Sequence, residues 1–142
     1  ITDNRMTRFM IPLDQAVELV GKAFEDAKGG EIYVKKIPSM KMTDLANAVA
    51  PEAEIKISGI RPGEKMHEQM IGTEDAPFTY EFDSYYKILP AINSWHEDPD
   101  RKKDGVLVDP SFIYTSDNNK EWMSIDNLKS WIDKNISKIG KF

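Results

Sequence analysis

The chain has no cysteine among its 142 residues. That removes disulfides, thiolate nucleophiles and cysteine-based metal sites, and makes a reducing compartment the simpler expectation. No apolar run approaches the roughly eighteen residues of a membrane span, and the start lacks the charged-then-apolar layout of a leader peptide. Only two histidines occur, and position 71, where a zinc helix beginning at His67 would place its second histidine, is Ile71. His96 lies in a separate stretch, so no metal site is expected. There is also no GxGxxG after a strand-like run, no Walker loop and no GxSxG. No residue reads on sight as a nucleophile or general base.

What is present describes a globular protein. The length suits one domain, able to bury roughly two thirds of its unfolded surface. Hydrophobic residues make up 40% and charged residues 30%, which argues against disorder. Nineteen basic residues against 24 acidic ones give a net charge of −5. No general attraction to nucleic acid or to an anionic membrane follows, so any anion site must be local. A chain that opens at Ile1, directly in a strand-like, ligand-like segment, is expected to be a piece of something longer.

Taken in order, residues 1–11 set Arg5 and Arg8 among apolar Met6, Phe9, Met10 and Ile11, an extended segment ended by Pro12. For the two arginines, solvated charge and phosphate contact are the competing readings. Leu13, Ala16, Val17, Val20 and Phe24 then share one helical face, and Gly29-Gly30 closes that helix. Residues 31–34 read as a buried strand. Thr43 would cap a second helix over 44–50, stopped by Pro51, and the alternation of Ile55 and Ile57 suggests another strand over 54–60. Helix and strand in alternation is an α/β signature. Residues 78–83 and 86–89 suggest a strand pair, whose tyrosines are expected in the core instead of stacking on a base. The seven methionines are expected to fill core gaps. Residues 93–110 read as a solvated charged loop. Ser124 would cap a last helix with Ile125, Leu128, Ile132 and Ile136 on one side.

The stretch with most chemical content is Arg61-Pro62-Gly63-Glu64-Lys65-Met66-His67-Glu68. It is read as a turn at a strand exit that leads into helix-favouring residues, the place where open α/β folds hold ligands. The following proline pushes Arg61 towards extended geometry and fixes the direction of its stem. A guanidinium held so suits phosphate or carboxylate, and Glu64 could accept from two neighbouring hydroxyls, as a ribose offers. The competing reading is an Arg61–Glu64 surface ion pair, worth ~0–1 kcal/mol.

Three blocks carry a resemblance: residues 2–9 (Thr-Asp-Asn-Arg-Met-Thr-Arg-Phe), residues 30–41 from Gly-Glu-Ile-Tyr-Val to Ile-Pro-Ser-Met-Lys, and residues 59–68 around Arg-Pro-Gly-Glu-Lys. With Ser116-Asp117-Asn118-Asn119 and Glu121-Trp122, they resemble the C-terminal part of the nucleotide-sugar 4,6-dehydratases, above all the inverting UDP-N-acetylglucosamine 4,6-dehydratases. These are extended short-chain dehydrogenase/reductase enzymes of surface-glycan synthesis. The likeness covers nearly the whole chain, with Met66 where leucine is more usual. It implies an α/β substrate-binding lobe over residues 1–142, of helices and short strands, some completing a larger sheet. The Rossmann domain that binds NADP, and every catalytic residue, would lie in an N-terminal region outside this chain. The reaction so implied moves hydride from sugar C4 to NADP, loses water across C5 and C6, and returns hydride to C6 with inversion at C5. The 4-keto-6-deoxy product would lead towards pseudaminic acid or related residues. By position, Arg8 and Arg61 look like the two pyrophosphate clamps and Glu64 like the ribose ligand. The resemblance also implies a UDP-sugar partner, a cytoplasmic setting and a homo-oligomeric complete enzyme. A sugar-nucleotide epimerase or reductase, or a non-catalytic binding or assembly module, is the alternative. Apolar surface left bare where the Rossmann domain would dock should make the chain prone to association.

Overall fold

The computed structural model describes residues 1–139. It is mixed α/β, and backbone contacts divide it into two compact units. One comprises Ile1–Met10, Pro38–Glu68 and the chain from Ser116 onward; the other comprises Ile11–Ile37 and Gln69–Thr115.

In the first unit, β1 (Thr7–Phe9) pairs antiparallel with β3 (Ser39–Lys41) in the register Thr7↔Lys41, Phe9↔Ser39. Helix α2 (Met42–Val49) starts directly at the end of β3 and packs against helix α4 (Ile125–Ile139). Met6, Met40 and Leu128 are buried here, two methionines filling the core as expected. Ser124 does cap α4: its hydroxyl accepts the Asn127 N–H at 3.2 Å. The side chain of Ile136 lies outside the described residues. Thr43, by contrast, is no cap. The helix begins one residue earlier, at Met42, because β3 runs straight into it, and Lys41 occupies the cap position without a side-chain bond.

The strand expected over residues 54–60 does not form. Alternating apolar residues make a strand only beside a partner strand, and among the described residues the backbone of this segment bonds across the chain only to Ile1: Ser58 N–H donates to the Ile1 carbonyl at 2.9 Å, and the Ile1 amine donates to the Lys56 carbonyl at 2.9 Å. Ile55, Ile57 and Ile60 stay exposed. Nor does a helix follow residue 64. There the backbone bonds across the chain, with Thr7 N–H on the Met66 carbonyl (3.2 Å) and Ser116 N–H on the Glu68 carbonyl (2.8 Å).

The second unit is built on a four-stranded antiparallel sheet of β2 (Ile32–Lys35), β5 (Thr79–Glu81), β6 (Tyr85–Ile88) and β7 (Val106–Leu107), in the order β2-β6-β5-β7. A separate pair joins β4 (Gln69–Ile71) to β8 (Tyr114–Thr115). The β5–β6 pair is the one the aromatic alternation predicted, with Glu81 opposite Tyr86 and Thr79 opposite Ile88. Tyr80, Tyr85 and Tyr86 are buried, as core residues. Residues 93–110 are not a solvated loop. They include α3 (Pro99–Lys102) and β7, and Arg101 is buried in an ion pair with Glu31 while its guanidinium lies 4.5 Å from the Trp95 ring.

Helix α1 (Leu13–Asp26) turns inward a face about a quarter turn from the one expected, sharing only Ala16 with it. Ala16, Leu19 and Ala23 are the half-buried positions, whereas Leu13 is 81% exposed and Phe24 85% exposed, with Val17 and Val20 also out. The helix is apolar on two sides, and its wider stripe has no partner among the described residues. Its last residue anchors it. Asp26 is buried and accepts hydrogen bonds from Lys87 (2.8 Å), Tyr33 (2.7 Å) and Lys103. Burial pushes the Asp26 carboxyl up, but the bonds from Lys103, Lys87 and Tyr33 outweigh it and hold the group well below the usual carboxylate range.

Candidate functional site

The three residues singled out in the sequence all belong to the first unit, on β1 and on the segment 61–68. Residues 61–64 form a tight turn closed by Glu64 N–H on the Arg61 carbonyl at 3.0 Å. Pro62 pre-sets the first central position, and Gly63 takes φ 80°, a left-handed value that any other residue would adopt at a cost. The Glu64 carboxylate closes the same turn from its other side: Oε2 accepts the Arg61 backbone N–H at 3.1 Å, and Oε1 accepts the Thr2 hydroxyl at 3.2 Å. The Arg61 N–H bond, which is the largest influence, holds the Glu64 carboxyl below its ordinary value; partial burial opposes it, and the Thr2 hydroxyl and the charges of Arg61 and Arg8 add to the lowering. Glu64 is therefore an anionic acceptor at neutral pH, with lone pairs to spare.

The surface ion pair between Arg61 and Glu64 does not form. Glu64 bonds to the backbone of Arg61, and the Arg61 guanidinium has neither a hydrogen bond nor an ion pair among the described residues. Arg8 is the reverse case. Its Nη1 donates to the carbonyls of Thr7 (2.7 Å) and Met66 (3.1 Å), and Nη2 donates to the Lys65 carbonyl (3.0 Å). Its Nε stands 3.2 Å from Glu68 Oε1. Arg8 thus staples β1 to the residues just past Glu64, which brings the two arginines and Glu64 onto one stretch of surface.

Beneath that staple runs a chain of polar side chains. Thr7 Oγ1 lies 2.8 Å from His67 Nδ1 and 2.7 Å from Ser116 Oγ, and Ser116 Oγ accepts the Glu68 N–H at 2.9 Å. Thr7 and Ser116 are buried, and His67 Nε2 is 3.9 Å from Asp117 Oδ2. The segment 66–68 is thereby fixed from both sides by backbone and hydroxyl bonds. Sequence reading missed Thr7, Glu68 and Ser116, which lie roughly 50 to 110 residues apart in the chain; the only signal was that each falls within one of the stretches that carry the family resemblance. Arg5 takes no part: it is exposed and forks onto Asp3, whose carboxyl those Arg5 hydrogen bonds hold at about 2. No group of histidine and acidic residues among the described residues could hold a metal ion.

The first unit thus sets Arg8, on β1, beside a proline–glycine turn that carries Arg61 and Glu64. Residues 1–90 match the family described as polysaccharide biosynthesis protein, and the chain belongs to that family. Among its relatives is a UDP-N-acetylglucosamine 4,6-dehydratase (inverting) of Campylobacter jejuni, 50% identical over 133 residues that cover 90% of this chain and 40% of that protein. A UDP-glucose 4-epimerase of Rickettsia canadensis is 36% identical over 92 residues, covering 62% of this chain and 27% of that protein. In the solved X-ray structure of Pen from Bacillus thuringiensis, 27% identical, 95% of this chain superposes on 40% of that chain with a TM-score of 0.78. The chain spans about two fifths of the length of the first of these relatives.

Proposed function

We propose that this chain is the nucleotide-sugar-holding part of an inverting 4,6-dehydratase that acts on UDP-N-acetylglucosamine in surface-glycan synthesis. The observation that carries the reading is the 50% identity to the Campylobacter dehydratase across nine tenths of the chain. In this proposal Arg61, free and aimed by the Pro62–Gly63 turn, is the direct ligand of the diphosphate. Arg8 is the second clamp, adding charge and its Nε edge while it organises the turn. Glu64, ionised and already fixed by Thr2 and the Arg61 N–H, accepts from a ribose hydroxyl.

In this reading the NADP that such a reaction uses is held by a domain outside this chain. Among the described residues no strand passes through a glycine-rich turn into a helix; β3 runs into α2 with no glycine at all. The chain alone is therefore expected to be catalytically inert and to bind UDP-sugars weakly, the complete enzyme being a cytoplasmic homo-oligomer. No described helix is long and apolar enough to cross a membrane. The second reading, a sugar-nucleotide epimerase, is favoured by the 36% identity to the Rickettsia enzyme and would use the same clamps. Product analysis of the intact enzyme with UDP-N-acetylglucosamine separates the two: a 4-keto-6-deoxy sugar supports the dehydratase and an epimer refutes it. Turnover by the isolated 142 residues would overturn the claim of inertness. Calorimetry tests the site: Arg61→Ala and Arg8→Ala each weaken UDP binding strongly, His67→Ala less, and unchanged affinity in both arginine variants sinks the assignment.

A further inference from the structure

The Arg8 guanidinium has five N–H groups, and three are committed to main-chain carbonyls at Thr7, Met66 and Lys65. These acceptors are main-chain atoms of a segment tied down by the Thr7 N–H on the Met66 carbonyl and by the Thr7–Ser116 and Ser116–Glu68 contacts, so they cannot swing away from Arg8 as a side chain can. What remains for an anion is the Nε side of the guanidinium. Glu68 stands on that side, 3.2 Å from Nε, with a side chain 43% exposed. Unlike the carbonyls, a half-exposed carboxylate on a flexible stem can swing into water at little cost, since such pairs are worth ~0.2–1 kcal/mol.

We infer that Glu68 is an internal competitor anion, which occupies the phosphate-facing edge of Arg8 until a phosphate-bearing ligand displaces it. This rests on the reading of Arg8 as a diphosphate clamp. A carboxylate is the right occupant for such a role. It matches the guanidinium in charge and geometry, yet a diphosphate carries more charge and more acceptor oxygens and wins the exchange. Arg61 has no comparable occupant, so the site meets its ligand through one arginine that is free and one that must be released. The consequence is a site whose affinity is set below what its two arginines could deliver, which favours release of a bound nucleotide.

The test is UDP, with uridine as control, titrated calorimetrically into the intact enzyme carrying Glu68→Gln, Glu68→Ala, Arg8→Ala, or Glu68→Gln with Arg8→Ala. Removal of the competitor should tighten UDP binding about two- to fivefold, the span expected of a half-exposed pair. Uridine should not gain, and the gain should vanish when Arg8 is also absent. If Arg8→Ala weakens UDP binding but both Glu68 variants bind UDP as the wild type does, or more weakly, Glu68 orients Arg8 and does not compete, and the inference fails alone. If Arg8→Ala keeps wild-type affinity for UDP, the clamp reading fails and takes this inference with it.

Discussion

Arg8 and Arg61 should part company when stability and binding are measured on the same variants. Arg8→Ala removes three charge-assisted hydrogen bonds and the Glu68 pair from a side chain only 22% exposed. In a sealed interior each such bond is worth ~1.5–3 kcal/mol; here water reaches the freed carbonyls, so the total loss should fall to about 2 kcal/mol. With a urea slope of ~2 kcal/mol per molar, the unfolding midpoint should drop by about 1 M. Arg61→Ala removes nothing that the fold uses, and its midpoint should stay within the ~0.5 kcal/mol typical of surface changes. Both variants should lose UDP affinity, Arg61→Ala by about ten- to hundredfold if its guanidinium makes bidentate contact with phosphate. An Arg8→Ala midpoint equal to wild type would refute the staple. A fallen midpoint in Arg61→Ala would show that its guanidinium has a structural role the geometry does not give it.

Asp26→Asn should cost about 3 kcal/mol at pH 7, because it leaves Lys87, with a side chain only 1% exposed, without a counter-charge. Since the folded carboxyl is held below its unfolded value near 3.9, this contribution is complete above that pH and is lost as pH falls through the folded value. The gap between the urea midpoints of wild type and variant should therefore be constant near neutral pH and begin to close as pH falls below about 4, and a gap constant with pH into strong acid would refute the account. The exposed stripe of α1 should drive self-association of the chain, and Val17→Glu with Phe24→Glu should abolish the concentration dependence of its sedimentation; a wild-type chain monomeric throughout would contradict this.

How far these features were legible depended on whether their causes were local. The α1 helix, the Ser124 cap and the β5–β6 pair were readable because periodicity, a capping hydroxyl and aromatic alternation act within a few residues. The face of α1 was not, because apolar residues line both sides and only the sheet beneath selects one. Ile55 and Ile57 alternate as a strand would, but pairing needs a neighbour, and the nearest backbone is the single residue Ile1. In the site, Pro62 and Gly63 announced the turn. That Glu64 would bond to the Arg61 N–H, leaving the guanidinium free, depends on Thr2 and Arg8 arriving from residues about sixty positions away.

The contact between Thr7 and Ser116 has a consequence for how the molecule is made. Residue 7 meets 66 and 67, and residue 116 meets both 7 and 68, so three distant parts of the chain must converge before any of them is settled. Long-range closures of this kind are slow, because the entropy of ordering the intervening chain is lost before the contacts form. During synthesis, the arginine-bearing strand can pair with β3 early, but its Thr7 hydroxyl waits for Ser116 until more than a hundred further residues have emerged. A chain cut at residue 90, where the family match ends, would keep both arginines and Glu64 yet lack the serine that locks the segment just past Glu64.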